Sequence, residues 1–203
     1  MAENIESLVR LMPPHPGAGD IIDWGLMERS WGEKFPTDYK SFTECYGAGA
    51  VSDYLSLLAP EPYVGNGVES TLSAMEMESL NALDYWKTIA SEESGRDRVI
   101  CWGLDASADI LCWRVTQKDP DAWPVVVWNQ DDARWRQYNC GIVEFLGRIF
   151  LAEFDDCPLG GLDLWGNAAP VFLHHAEEER LRSSGLDPWT GEPDPYAGMF
   201  GDY

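Results

Sequence analysis

The chain has little positive charge. Only 14 residues are Lys or Arg against 35 Asp and Glu, which leaves a formal net charge of −21 over 203 residues. Nucleic acid and anionic membrane both select for a basic footprint, so neither is expected as a partner. A basic protein partner suits this charge, with salt-sensitive association, although acidity also simply keeps a protein soluble. Long apolar runs are missing too: no stretch approaches the ~20 residues of a membrane span. Met1 to Met12 carries Glu3 and Glu6 and no apolar core of the kind a secretion signal needs. The five cysteines are odd in number and contain no Cys-x-x-Cys pair, which predicts free thiols and a cytoplasmic setting.

The catalytic motifs are missing as well. No Gly-x-x-x-x-Gly-Lys, Gly-x-Ser-x-Gly or dinucleotide fingerprint occurs. Asp105-x-Ser107-x-Asp109 resembles the start of a calcium loop, but Ile110 stands where Gly is required and Thr116 where a bidentate Glu is required. His174, His175 and Glu179 do not make a His-Glu-x-x-His arrangement, which needs two His four apart on one helix face. Cys101 and Cys112 sit inside apolar strand patterns and read as buried thiols. The expectation is therefore no catalytic residue, no metal and no cofactor.

What is present centres on residues 99–151. Val-Ile-Cys-Trp-Gly-Leu-Asp at 99–105, Ala-Asp-Ile-Leu-Cys-Trp-Arg-Val at 108–115, Trp-Pro-Val-Val-Val-Trp-Asn at 123–129 and Arg-Trp-Arg-Gln-Tyr at 134–138 are short apolar runs separated by turn residues. That pattern predicts consecutive antiparallel strands. Ile142, Phe145, Leu146, Ile149 and Phe150 then switch to helical spacing. Five Trp fall in or beside these strands, and any that pointed outward would be a binding anchor.

Upstream, Ile5, Leu8, Val9 and Met12 predict a short helix over 4–12, stopped by Pro13, Pro14 and Pro16. Asp20 reads as the N-cap of a second helix with Trp24, Met27 and Trp31 on its inner face. Phe35, Tyr39, Phe42 and Tyr46 form one aromatic stripe, expected to be core. Residues 50–58 read as one extended segment and 60–67 as loop. A helix is predicted over 70–91, with Leu72, Met75, Leu83 and Trp86 buried and Ser94-Gly95 ending it. Leu162, Leu164 and Trp165 are expected docking points in the Gly/Pro-rich stretch after Asp155. Residues 172–184 are expected to be a helix whose acids precede its arginines, as the macrodipole favours. Beyond them lies an acidic, Pro/Gly-rich tail.

Trp24, Phe35-Pro-Thr-Asp-Tyr-Lys-Ser-Phe42, Tyr46-Gly47-Ala-Gly49 and the segment ending at Pro60 resemble the N-terminal signature of the SUKH superfamily. Trp102-Gly103-Leu-Asp105, Ala108-Asp109-Ile-Leu111-Cys-Trp113, Pro124-Val-Val-Val-Trp128 and Val143-Glu-Phe-Leu146 continue it, so the resemblance covers about residues 20–152. This sequence departs from the family's usual pattern at Phe35, where Leu is common, and at Ser107-Ala108, where Asn-Gly is common. Ser-Ala adopts a type I′ turn at a higher cost, so a longer or differently shaped loop is expected there.

The resemblance implies an α+β fold: a mixed or largely antiparallel sheet of about five to six strands flanked by helices. On that reading residues 1–155 form the SUKH-like domain and 156–203 a C-terminal extension packed on it or trailing from it. The resemblance also implies a non-enzymatic role. Many bacterial members bind and neutralise a toxin domain, often a nuclease or deaminase. The alternative is an intracellular scaffold or regulatory module with an endogenous partner. Charge and turn position nominate Asp119, Asp121, Asp131, Asp132, Glu153, Asp155 and Asp156 as contacts to a basic toxin domain.

Overall fold

A computed structural model describes residues 5–61, 64–65, 68–69, 72–89 and 98–196. The chain is α+β, with six α-helices among the described residues: α1 (Ile5–Leu11), α2 (Trp24–Trp31), α3 (Thr37–Cys45), α4 (Ala74–Ile89), α5 (Ile142–Phe150) and α6 (His175–Ser183). The main sheet contains β1 (Gly49–Val51), β2 (Leu55–Leu57), β5 (Arg98–Asp105), β6 (Ile110–Val115), β7 (Val125–Asn129), β8 (Arg134–Tyr138) and β9 (Phe172–His174). A separate two-stranded ribbon pairs β3 (Val64–Gly65) with β4 (Val68–Glu69). The main order is β8-β7-β6-β5-β2-β1-β9, and every neighbouring pair is antiparallel.

Seven strands exceed the five to six expected, for two local reasons. Residues 50–58 are not one extended segment. Ser52 and Asp53 take left-handed backbone (φ 51° and 55°) and fold the segment into the β1–β2 hairpin. In addition, residues 172–184 are not all helix: Phe172–His174 pairs with β1 before α6 begins. The 60–67 loop likewise holds β3. Ends of the predicted 70–91 helix, its Ser94-Gly95 stop and the last residues of the tail lie outside the described residues.

Period-2 alternation in the central strands gives the sheet two buried faces. Ile100, Trp102, Leu111, Trp113, Val125 and Val127 face the larger core. Leu8 and Met12 close this core from the N-terminal end, the aromatic stripe of α3 from one side, and Ile142, Phe145, Leu146 and Ile149 of α5 from the other. Phe35, Tyr39, Phe42 and Tyr46 are all buried, as their spacing predicted. Tyr39 donates its hydroxyl to the Leu58 carbonyl at 2.6 Å, and Tyr46 donates to Met12 at 2.6 Å, so both buried phenols are satisfied. The opposite face carries Val99, Cys101, Ile110, Cys112, Val126 and Trp128 under Ala82 and Trp86 of α4. None of the five cysteines is in a disulfide; Cys101 and Cys112 are cross-strand neighbours with no exposure.

Several local expectations are corrected. Asp23, not Asp20, caps α2, accepting from the Leu26 N–H at 2.9 Å. Asp20 instead accepts from the Ala48 N–H and bonds His174 Nε2, tying the linker before α2 to β9. Leu72 is 39% exposed rather than buried, and Leu162 is 69% exposed rather than docked, while Leu164 is fully buried. No strand Trp is an outward anchor: Trp102, Trp113, Trp123 and Trp128 are buried, and Trp135 is partly covered by Trp86 and Trp128.

Candidate interaction surface

The β6–β7 register sorts the seven nominated acids. Ile110 opposes Trp128 and Trp113 opposes Val125. The connection holding Asp119 and Asp121 therefore leaves one end of the strands, and the turn holding Asp131 and Asp132 lies at the other. All seven acids are exposed, Glu153, Asp155 and Asp156 among them. They do not form one patch.

At the first end, Asp121 has a structural job. α3 starts at Pro36, which offers no side-chain cap. The Asp121 carboxylate takes that place, accepting from the Thr37 N–H at 2.5 Å and the Thr37 hydroxyl at 2.9 Å. Asp119 accepts in turn from the Asp121 N–H. The same arrangement recurs next door. α5 follows Gly141, which has no side chain to cap with, and Asp38 of α3 accepts from the Val143 N–H at 3.3 Å. A Cβ on residue 141 would lie 2.1 Å from Asp38 Oδ2, so any side chain there would have to displace the Asp38 carboxylate. Burial pushes the Asp38 carboxyl up; backbone donors of Val143 and Tyr39 pull it back, and the charge of Asp121 adds to the rise.

Two helix N-termini thus converge beside one cleft of about 670 Å³. Asp38, Asp121 and Glu144 line it over a floor that includes Trp113 and Trp123. Among the described residues, no Lys or Arg lines it.

The other end is built on buried acids. Asp109 is fully buried and accepts from the Gln130 N–H at 2.8 Å, the Gly160 N–H at 2.6 Å and Asn129 Nδ2 at 3.2 Å. Asp105 Oδ1 accepts from the Ser107 and Asp109 N–H groups, while its buried Oδ2 has no hydrogen-bond partner. Burial, with the nearby Asp109 charge, outweighs those two donors and pushes Asp105 up to about 6. The turn expected to deviate at Ser107-Ala108 does so through Ala108, held at φ 63°. Asp132 pairs with Arg136 outside this cluster. The Asp105-x-Ser107-x-Asp109 motif is thus a hairpin brace that also holds the 157–164 segment through Gly160.

A third feature lies on and just before α4. Leu72 before the helix and Met77, Leu80 and Tyr85 on it are exposed, and a smaller groove of about 300 Å³ runs between Trp31, Leu80, Leu83 and the start of β5. Among the described residues no helix is long and apolar enough to cross a membrane, and no three His, Cys, Asp or Glu side chains are grouped to hold a metal.

Residues 23–146, more than half of the chain, match the SUKH_6 family, described as SMI1-KNR4 cell-wall. The chain belongs to this family. No curated protein and no solved structure matches it.

Proposed function

We propose that the protein is an immunity protein that neutralises a basic toxin domain, such as a nuclease or deaminase, by direct contact and without catalysis. The observation that supports this reading is a SUKH-family fold carrying an acid excess of 35 to 14, with acids exposed at both ends of the sheet. An acidic inhibitor gains encounter rate and register from a basic target. The test is capture from the protein's own host at low and high salt, followed by a toxicity assay. The reading requires a basic toxin-like protein that is recovered at low salt, depleted at high salt and made harmless by the purified protein. Recovery of a housekeeping complex with no protection against any toxin overturns it.

A second reading, a scaffold with an endogenous partner, is favoured by the apolar residues Met77, Leu80 and Tyr85 exposed along α4, with Leu72 exposed just before it. A lasting partner would cover them. Substituting Leu80 by Lys would then disrupt that partner's binding while leaving any toxin protection intact.

A further inference from the structure

We propose that the cleft between the starts of α3 and α5 is the protein's docking site for an arginine side chain of its partner. The proposal rests on the immunity reading for the identity of that partner. It is carried by shape and charge together.

The cleft volume of about 670 Å³ lies in the range of pockets that enclose a ligand group. Its walls hold three carboxyl groups on three different elements: Asp38 on α3, Asp121 in the β6–β7 connection and Glu144 in the first turn of α5. The nearest cation described for any of them is Arg148, 3.8 Å from Glu144 and outside the cleft lining. Asp38 and Asp121 each spend lone pairs on a helix start, yet a carboxylate accepts about four hydrogen bonds, so both retain capacity.

The apolar part suits the rest of the guest. Ile5, Pro36, Pro124 and Val143 provide surface for a methylene stem. Trp113, in the floor, is fully buried and adds aromatic surface to that wall. A guanidinium fits better than an ammonium, because its planar fork donates to two separated carboxylates at once. Entry of that charge also relieves the repulsion between Asp121 and the half-buried Asp38.

The test uses the full chain, ¹⁵N-labelled, titrated with N-acetyl-arginine N-methylamide and with its neutral isostere N-acetyl-citrulline N-methylamide. The proposal predicts saturable shifts at the amides of Thr37, Asp38, Asn139 and Gly141 to Glu144, and binding of citrulline about tenfold weaker or worse. Glu144→Lys, and independently Ala122→Arg at the rim, should each abolish the response while keeping a folded spectrum. Asp84→Lys, an equal charge change on α4, should not. Equal binding of both probes, or shifts spread over the whole acidic surface, overturns the site. If a toxin is captured and Glu144→Lys leaves its affinity unchanged, the docking site fails and the immunity reading survives. If no toxin is captured but the arginine probe binds as described, the site stands and the immunity reading falls. If both hold, Glu144→Lys should weaken toxin binding about tenfold or more.

Discussion

The two faces of the sheet are covered very differently. Three helices, α1, α3 and α5, close one face, with α2 packed against α3 through Trp24, Trp31, Phe35 and Tyr39. There the aromatic rings form a continuous set: Tyr39 meets Trp113, Trp113 meets Trp102, and Trp102 meets Phe145. The other face has one described helix, α4, and a core of eight buried residues. Its large side chains, Trp86, Trp128 and Trp135, pack among themselves and keep partial contact with solvent. Stability should therefore be global on the first face and local on the second, since opening free energy follows buried apolar contact.

The strongest test of that contrast is Trp102→Ala. Removing a fully buried indole from the larger core should cost about 3–5 kcal/mol and lower the whole urea transition. Trp86→Ala should cost less, about 2 kcal/mol, because its site lies nearer solvent and can collapse. Hydrogen exchange should then show α4 amides losing protection while α5 amides keep theirs. Equal loss in both helices would make the two faces one cooperative unit.

Asp105→Asn probes the end of the sheet where the faces meet, and here the sign is reversed. The folded state raises this carboxyl from 3.8 to about 6, so between those pH values it holds a proton that the unfolded chain releases. Its contribution to stability is thus lost as pH rises toward 6. Asn keeps an acceptor for Ser107 and Asp109 without the buried charge. The substitution should stabilise by about 1 kcal/mol at pH 7–8 and have no effect below about pH 4, read from denaturation midpoints across pH. A destabilised variant at neutral pH would mean that the charge itself braces the hairpin. The smallest effect belongs to Asp84→Ala on the outer side of α4. It breaks an exposed pair with Lys87 at 3.6 Å and should move the midpoint by less than about 0.5 kcal/mol.

The sequence was most legible where burial imposes a period. The aromatic stripe of α3, the strands of residues 98–138 and the helix after them follow directly from side-chain spacing. It was least legible where a backbone group finds a partner far away in the chain. Asp20 looks like a cap by position, yet its carboxylate serves Ala48 and His174, and no local pattern encodes a contact across 154 residues. β1 and β2 merge into one extended run because their turn uses Ser52 and Asp53 rather than glycine. Asp121 was singled out for its charge, but its bonds to Thr37 come from a missing cap on another helix. Asp38 and Glu144 were not singled out at all. One signal does point to Asp38: Gly141 before α5 is a helix start with no capping side chain, and such a start needs an acceptor from elsewhere.

β9 sets a condition on how the chain is made. β1 emerges from the ribosome early, but the strand that completes its outer edge follows only after every other element of the sheet. Until Phe172–His174 arrives, one side of β1 offers unpaired backbone groups to any neighbouring chain. Synthesis that stalls or is cut short before that strand would thus leave a nearly complete core with a sticky border, which is the form most prone to associate with its own copies.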